Sequence, residues 1–174
     1  MIPNSRYVTP VLGLALGLAF AASTTGAQAP GTSRKTDSTT VVFVCEHGSV
    51  KSLIAISWFN RLAKSRGLPL RAISRGTNPD SAVPRAIRDG LRGDGIDIGS
   101  FKPKLFGKAD LAGATMLVSF DQDVAPVVQG ALPVERWDAL PAVSLNYALG
   151  RDSIRARVTE LVTRLEAKRS LGRR

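Results

Sequence analysis

A buried strand that ends at a cysteine and turns through a short loop into a helix is the most constraining feature of this chain. Residues 41–44 are apolar, Cys45 follows them, and Gly48 precedes a helix that begins near Ser49 or Lys51. Free N–H groups at such a helix start converge on one point, and the helix dipole adds positive potential there. A thiol at this place loses its proton readily and faces an anion. The segment therefore predicts covalent chemistry on phosphate or a phosphate-like ion.

Cys45 is the only cysteine among the 174 residues. A lone cysteine cannot form a disulfide within the chain. One interpretation makes it a small core residue that closes a strand. The other makes it a nucleophile, and its position directly before the helix start favours this second interpretation.

Strands and helices alternate along the chain. Strands that are apolar throughout, alternating with helices, are typical of parallel sheets covered on both faces. We therefore predict an α/β fold, a three-layer sandwich with a central four-stranded parallel sheet whose ligands bind beyond the carboxyl ends of the strands. Strands are expected at 41–45, 70–74, 116–120 and 134–137, and helices at 51–66, 83–91, 108–112 and from Ser144 or Arg151 to Lys168.

The N-terminal residues have the composition of a signal peptide. Arg6 precedes an apolar run at 11–22, and small residues follow it up to Ala27-Gln28-Ala29. We expect export across a bacterial inner membrane to a periplasmic or secreted location, with cleavage after Ala29 or Ala27; an uncleaved membrane anchor is the alternative. The predicted organisation is a signal peptide at 1–29, a polar linker at 30–39, one domain at 40–171 and a basic tail at 172–174.

The formal net charge is +10, and much of the positive charge falls near the end of the chain. Ile154, Val158 and Leu161 recur at helical spacing there, so the basic residues occupy the opposite face of a packed helix. A solvated face is the favoured interpretation, and contact with an anionic surface is the alternative. No aromatic platform accompanies the charge, and we expect no nucleic-acid partner.

The segment from Cys45 to Ser52 resembles the active-site loop of the low-molecular-weight protein tyrosine phosphatases and of the arsenate reductases that share their fold. The family pattern is Cys, five residues, Arg and Ser directly after the first strand. Here Lys51 replaces the arginine, while His47 is more similar to the arsenate reductases. The resemblance covers about residues 40–165 and implies an exported, divergent member with a phosphotyrosine phosphatase I-like fold.

The resemblance also implies roles for the loop residues. Cys45 would attack phosphorus to form a cysteinyl phosphate, Ser52 would donate its hydroxyl to the sulfur, and Lys51 would neutralise the oxygens. An ammonium grips oxygens less well than a guanidinium, so we expect a rate penalty of about tenfold to a thousandfold. His47 either shapes the pocket rim or activates the thiol, and the tight loop favours the rim. The expected phosphate-binding residues are Glu46, His47, Gly48, Ser49, Val50 and Lys51.

Two residues of the family pattern, the loop arginine and the acid that protonates the leaving group, have no direct match in this chain. Arg75, after the second predicted strand, either supplies the missing guanidinium or is an exposed turn residue. The family acid is an aspartate followed by proline, and no such dipeptide occurs in this chain. Asp138 is the candidate acid and Asp121 or Asp123 the reserve, because an acid must come within hydrogen-bond reach of its target. Each could instead be a surface or capping aspartate.

Three functions compete: hydrolysis of aryl or protein tyrosine phosphate, reduction of arsenate, and binding of an oxyanion or phosphorylated partner without catalysis. Reduction in this fold requires further thiols, and one cysteine counts against it. The phosphatase is therefore the favoured interpretation, with a phosphate-like oxyanion or a phosphorylated substrate as partner. We expect no cofactor and no metal, because Cys45, Glu46 and His47 are too close in sequence to complete a tetrahedral site.

Overall fold

The computed structural model describes residues 39–172. Four parallel strands in that range form one sheet, in the order β2-β1-β3-β4. The strands are β1 (Thr39–Cys45), β2 (Leu70–Gly76), β3 (Ala114–Ser119) and β4 (Val134–Arg136). The helices are α1 (Lys51–Ser65), α2 (Arg85–Gly93), α3 (Ala125–Val128) and α4 (Tyr147–Leu171), with a 3-10 turn at Lys108–Leu111.

The sheet is buried on both faces. Phe43 and its alternate neighbours on β1 pack with α1, α2 and α4 on one face. Val42 and Val44 pack with Leu117 and Val128 on the other face. This three-layer arrangement around a parallel sheet confirms the predicted fold class. Because β1 lies between β2 and β3, its carboxyl end at Cys45 opens where parallel sheets bind their ligands.

Four buried aromatic rings connect the sheet to the loops at its carboxyl edge. The Phe43 centroid lies 5.8 Å from that of Phe59 and 5.6 Å from that of Trp137, and Trp137 lies 5.5 Å from Phe120. Edge-to-face pairs of this kind contribute about 0.5–1.5 kcal/mol each beyond their burial. Phe120 directly follows β3 and Trp137 directly follows β4. The packed rings therefore fix the starting points of the loops that follow these two strands.

The exposed edge of β2 is covered by a side chain. Asn60 on α1 donates from Nδ2 to the Ala72 carbonyl at 3.0 Å, and its Oδ1 accepts from the Ala72 N–H at 2.7 Å. One amide group thus takes the place of a neighbouring strand. Further along, Gly76 exchanges backbone hydrogen bonds with Lys104 and Phe106 at 2.9 and 2.8 Å.

The observed elements differ from prediction at several places. The predicted start of α2 at Val83 is wrong, because Val83 precedes a proline and Pro84 is extended (φ −54°, ψ 139°). Asn146 caps α4 by accepting from the Leu149 N–H at 3.0 Å, which places the helix start at Tyr147. The short helix α3 was not predicted. β1 starts at Thr39, inside the predicted linker.

The predicted signal peptide at 1–29 lies outside the described residues, as do all but the last residue of the predicted linker and the last two of the basic tail. Within residues 39–172, no helix combines the length and the apolar character that a membrane crossing requires.

Candidate active site

The loop at 46–50 lies against the end of β2 through two facing glycines. Gly48 has φ +64°, and a Cβ on it would lie 2.8 Å from the Gly76 nitrogen. A Cβ on Gly76 would in turn lie 2.8 Å from the Glu46 carbonyl oxygen and 2.9 Å from the Gly48 nitrogen. The two backbones therefore approach more closely than any side chain permits, and Gly48 also needs the left-handed conformation that glycine adopts freely.

The carbonyl groups of residues 45–48 all accept hydrogen bonds from the segment 74–80. A trans peptide unit points its carbonyl and its N–H in opposite directions, so the N–H groups of residues 46–49 face away from that segment. In the described part of the chain, no hydrogen bond takes up the N–H of Glu46, His47 or Ser49. The four donors are, in order, the N–H groups of Thr77, Asn78 and Asp80 and the Ser74 hydroxyl, at 3.1, 2.8, 3.1 and 2.9 Å.

The Cys45 thiol is buried beneath this loop and has two polar neighbours. Its Sγ lies 3.0 Å from Ser52 Oγ and accepts from the Gly48 N–H at 3.2 Å. Ser52 Oγ lies 2.7 Å from Ser74 Oγ, and both serines are buried. The Gly48 N–H donates to the sulfur, whereas in the contact with Ser52 either the thiol or the hydroxyl can be the donor. Sequence reasoning singled out Ser52 but missed Ser74.

The start of α1 is left open for an anion. Its N-cap residue is Val50, which makes no side-chain cap hydrogen bond. The usual capping residues, Ser, Thr, Asp or Asn, would occupy the first N–H groups themselves. Without such a cap, the positive end of the helix dipole and its free donors remain available to a bound oxyanion.

Asp80 holds the outer side of the loop, and sequence reasoning missed it. Its Oδ2 accepts from the Ser49 hydroxyl, and its Oδ1 lies 3.3 Å from His47 Nδ1. The other ring nitrogen of His47 lies 3.7 Å from Glu46 Oε2. The structure therefore places the half-exposed His47 ring between carboxylates at the rim, and neither ring nitrogen is bonded to the sulfur.

Lys51 forms an ion pair with Asp121 across the pocket. Lys51 Nζ donates to Asp121 Oδ2 at 2.5 Å, and the Ala139 N–H donates to Asp121 Oδ1 at 3.0 Å. The hydrogen bond from Lys51 lowers the pKa of Asp121, and the Ala139 N–H and the charge of Arg136 act in the same direction against partial burial. Asp121 is thus an ionised carboxylate in the free protein.

Asp138 and Asp123 lie outside the pocket. Asp138 is exposed and accepts from the Asp121 N–H at 3.1 Å and from Arg136 Nε at 2.9 Å. Asp123 Oδ1 accepts from the Ala125 N–H at 3.0 Å, where α3 begins. Of the three candidate acids, the structure brings Asp121 to the pocket.

Arg75 does not reach the loop as a replacement guanidinium. Neighbouring residues of a strand point to opposite faces, and Ser74 already faces the loop. Arg75 therefore points to the other face, where its Nε donates to Asp110 Oδ1 at 2.6 Å and its Nη1 to the Ser74 carbonyl at 2.8 Å. Both partners of this ion pair are largely buried, so it ties β2 to the 3-10 turn.

A cavity of about 280 Å³ opens above Cys45. The segment 142–144 forms one wall, and sequence reasoning did not single it out. No group of three or more His, Cys, Asp or Glu side chains within the described range could hold a metal ion. The lining residues are Cys45, Glu46, His47, Val50, Lys51, Phe120, Asp121, Gln122, Ala142, Val143 and Ser144.

The Cys45 thiol lies under a loop of converging N–H groups, where strand β1 leads into the uncapped helix α1. Such an arrangement can bind an oxyanion beside a reactive sulfur. The family model of low molecular weight phosphotyrosine protein phosphatase matches residues 40–135. The chain belongs to this family, which confirms the resemblance given by the loop residues. No curated protein is a significant match to the sequence.

Solved structures share the fold at low sequence identity. An arsenate reductase from Archaeoglobus fulgidus is 27% identical, with a TM-score of 0.58, over 71% of this chain and 98% of that one. The YwlE arginine phosphatase from Geobacillus stearothermophilus is 17% identical, with a TM-score of 0.62, over 75% and 94%. A thioredoxin-dependent arsenate reductase from Corynebacterium glutamicum is 21% identical, with a TM-score of 0.62. The similarity covers 75% of this chain but only 62% of that longer protein.

The facing glycines generate a prediction about the loop. Gly48→Ala adds both left-handed strain and a collision with the Gly76 backbone, so we expect it to lower the free energy of unfolding by at least about 2 kcal/mol. If the loop binds phosphate, we expect phosphate to raise the melting temperature of the unaltered protein but not that of Gly48→Ala. Gly67→Ala is the matched control, because Gly67 has φ +62° but nothing within 4 Å of its added Cβ. Denaturant unfolding of both variants measures the difference, and equal losses would contradict the close approach.

Proposed function

We propose that this protein is a cysteine-dependent phosphatase that hydrolyses aryl or protein tyrosine phosphate through a cysteinyl-phosphate intermediate. The observation that carries the proposal is the setting of Cys45. Its sulfur has the Ser52 hydroxyl at 3.0 Å and the Gly48 N–H at 3.2 Å, in a loop whose other free N–H groups face the same side. A nucleophile and an anion site at one point are what phosphoryl transfer to sulfur requires.

The chemistry follows from these positions. The Cys45 thiolate attacks phosphorus as the bond to the leaving oxygen breaks, and the loop N–H groups stabilise the three non-bridging oxygens. An acid protonates the leaving oxygen. Water then attacks phosphorus, the P–S bond breaks, and its electron pair returns to the sulfur. Ser52 supplies a hydrogen bond to that sulfur when it leaves.

Lys51 begins the reaction in the ion pair with Asp121. An ammonium group has three donors, so Lys51 can turn to the bound oxyanion without a change in the backbone. It binds oxygens one at a time, however, whereas the family's arginine binds two in a fixed plane. The protein should therefore hydrolyse phosphate esters more slowly than relatives with arginine.

The first test compares the reduced protein with its Cys45→Ser variant. Hydrolysis of p-nitrophenyl phosphate between pH 5 and 8 is expected in the unaltered protein and absent in the variant, since an alcohol is a far poorer nucleophile here than a thiolate. Phosphate should raise the melting temperature of both proteins. Equal turnover in the two would contradict the proposal, and stabilisation without turnover would indicate an oxyanion-binding protein.

Arsenate reduction is the second candidate, and the 27% identity with an arsenate reductase favours it. With one cysteine in the chain, the electrons must come from an external thiol. The same pair of proteins can be given arsenate with glutathione or with thioredoxin and its reductase. Arsenite production that depends on Cys45, without phosphatase turnover, would replace the first proposal by this one.

A second prediction concerns a variant in which the family arginine is restored at position 51. We expect Lys51→Arg to raise kcat for p-nitrophenyl phosphate by about tenfold or more, because two parallel donors orient the transition state. Lys51→Met keeps much of the side chain but removes the charge, and should lower kcat/KM. Steady-state kinetics of the three proteins decide the matter. An arginine variant no faster than the unaltered protein would contradict this account of the site.

We also infer that the domain works outside the cytoplasm. The inference is supported by Arg6, the apolar run at 11–22 and the small residues that end at Ala29. Expression of the full chain in a bacterial host should yield a periplasmic protein whose mass corresponds to loss of the residues up to Ala27 or Ala29. An uncleaved protein in the cytoplasm would contradict export, and one in the membrane fraction would indicate an anchor.

A further inference from the structure

The loops after β3 and β4 hold each other through reciprocal hydrogen bonds. The Asp121 N–H donates to Asp138 Oδ1 at 3.1 Å, and the Ala139 N–H donates to Asp121 Oδ1 at 3.0 Å. Asp121 and Ala139 both have positive φ, 53° and 58°. Such strain persists only where the surrounding structure enforces it. Strain at both Asp121 and Ala139, the residue whose N–H binds the Asp121 carboxylate, therefore indicates that the position of this carboxylate matters.

We propose that Asp121 protonates the leaving oxygen, and that Lys51 permits this by moving from the Asp121 carboxylate to the bound oxyanion. The proposal rests on the phosphatase function given above. It assigns the acid to the loop after β3, whereas the family pattern has an aspartate followed by proline on a later loop. Asp138, the aspartate closest to that later position, becomes a positioning residue that holds the Asp121 backbone.

The contacts of the three aspartates support this assignment. Asp121 lines the cavity together with Cys45, while Asp123 and Asp138 do not. Both oxygens of Asp138 already accept hydrogen bonds, from the Asp121 N–H and from Arg136. Asp121 Oδ1 is held by Ala139, so Oδ2, which now faces Lys51, is the oxygen that can carry a transferable proton.

The charges around Asp121 make its protonation depend on the ligand. In the free protein Lys51 and Arg136 keep it ionised. A bound oxyanion withdraws the Lys51 donor and places negative charge nearby, and both changes raise the pKa of a carboxyl group. The other titratable groups around it are Asp138 beside its N–H, the Cys45 thiol in the cavity and, at the rim, Glu46 and His47. Asp121 should therefore take up a proton when the anion binds.

The transfer balances over the two steps. In the first, the Cys45 sulfur forms a bond to phosphorus, the P–O bond to the leaving group breaks, and its electron pair takes the proton of Asp121 Oδ2. In the second, a water oxygen attacks phosphorus and its proton returns to the Asp121 carboxylate. The P–S bond breaks onto sulfur, which leaves phosphate, the thiolate and the protonated acid.

The decisive experiment varies the leaving group. Asp121→Asn should lower kcat/KM for phenyl phosphate by about a hundredfold or more, because a phenolate of high pKa needs the proton. For 2,4-dinitrophenyl phosphate, whose leaving group needs none, the loss should be less than tenfold. Phosphate should bind this variant more tightly, since Lys51 is no longer paired. Asp123→Asn, in the same loop, is the matched control and should leave kcat/KM unchanged for both substrates.

Asp138→Asn separates positioning from acid catalysis. The amide oxygen in Asp138→Asn can still accept from the Asp121 N–H, so a residue that only positions Asp121 should lower kcat/KM by less than tenfold for either substrate. A leaving-group-dependent loss in Asp138→Asn, or equal losses for both substrates in Asp121→Asn, would overturn the assignment. Circular dichroism and denaturant unfolding show whether each variant remains folded.

A measurement that needs no turnover completes the test. In the Cys45→Ser protein, calorimetric titration with inorganic phosphate near pH 5.5, in two buffers of different ionisation enthalpy, gives the protons taken up on binding. We expect the uptake to fall when Asp121→Asn is added and to stay unchanged when Asp123→Asn is added. Equal uptake in all three, with turnover in the unaltered protein, would overturn the role of Asp121 alone. No turnover above Cys45→Ser would overturn the phosphatase function and the acid role together.

Discussion

The close approach of two backbones, at Gly48 and Gly76, is the constraint on which the rest of the site depends. It lets residues 74–80 bind the loop carbonyls from outside, through three backbone N–H groups and the Ser74 hydroxyl, so that the loop amides face inward. The strand, the loop and the uncapped helix then meet at Cys45. Fixed backbone dipoles lose little when an anion arrives, because they are already oriented before it binds.

Around this rigid backbone, the charged side chains are arranged more loosely. The family arginine is replaced by Lys51, and its charge is balanced by Asp121 on a different loop. A self-neutralised site is easier to keep folded than one with an unpaired buried charge. The same pairing means that an incoming anion competes with a carboxylate for the cation, which favours doubly charged ligands over weakly charged ones.

The fold and the position of the cysteine beneath the loop were predictable because their signals are local. Unbroken apolar strands alternating with helices predicted the parallel sheet. A cysteine before a helix start, with a serine seven residues later, indicated Cys45 and Ser52 as candidate site residues. The residues that reach the loop from distant parts of the chain were not predictable in this way. Asp80 contacts Ser49 across 31 residues, and Asp121 contacts Lys51 across 70. The position of Arg75 along the chain left two interpretations open, a replacement guanidinium at the loop or an exposed turn residue. The alternation of side chains along a strand instead directs it to the other face, where it pairs with Asp110.

Asn60 has a consequence that reaches beyond the single molecule. An uncovered edge strand offers a row of donors and acceptors to which the strand of another chain can add. Here the amide of Asn60 occupies both groups of Ala72 in the middle of β2, and β4 at the opposite edge is three residues long. Both margins of the sheet are therefore poor templates for growth into fibrils, a protection that suits a chain which meets its own copies while it is still folding.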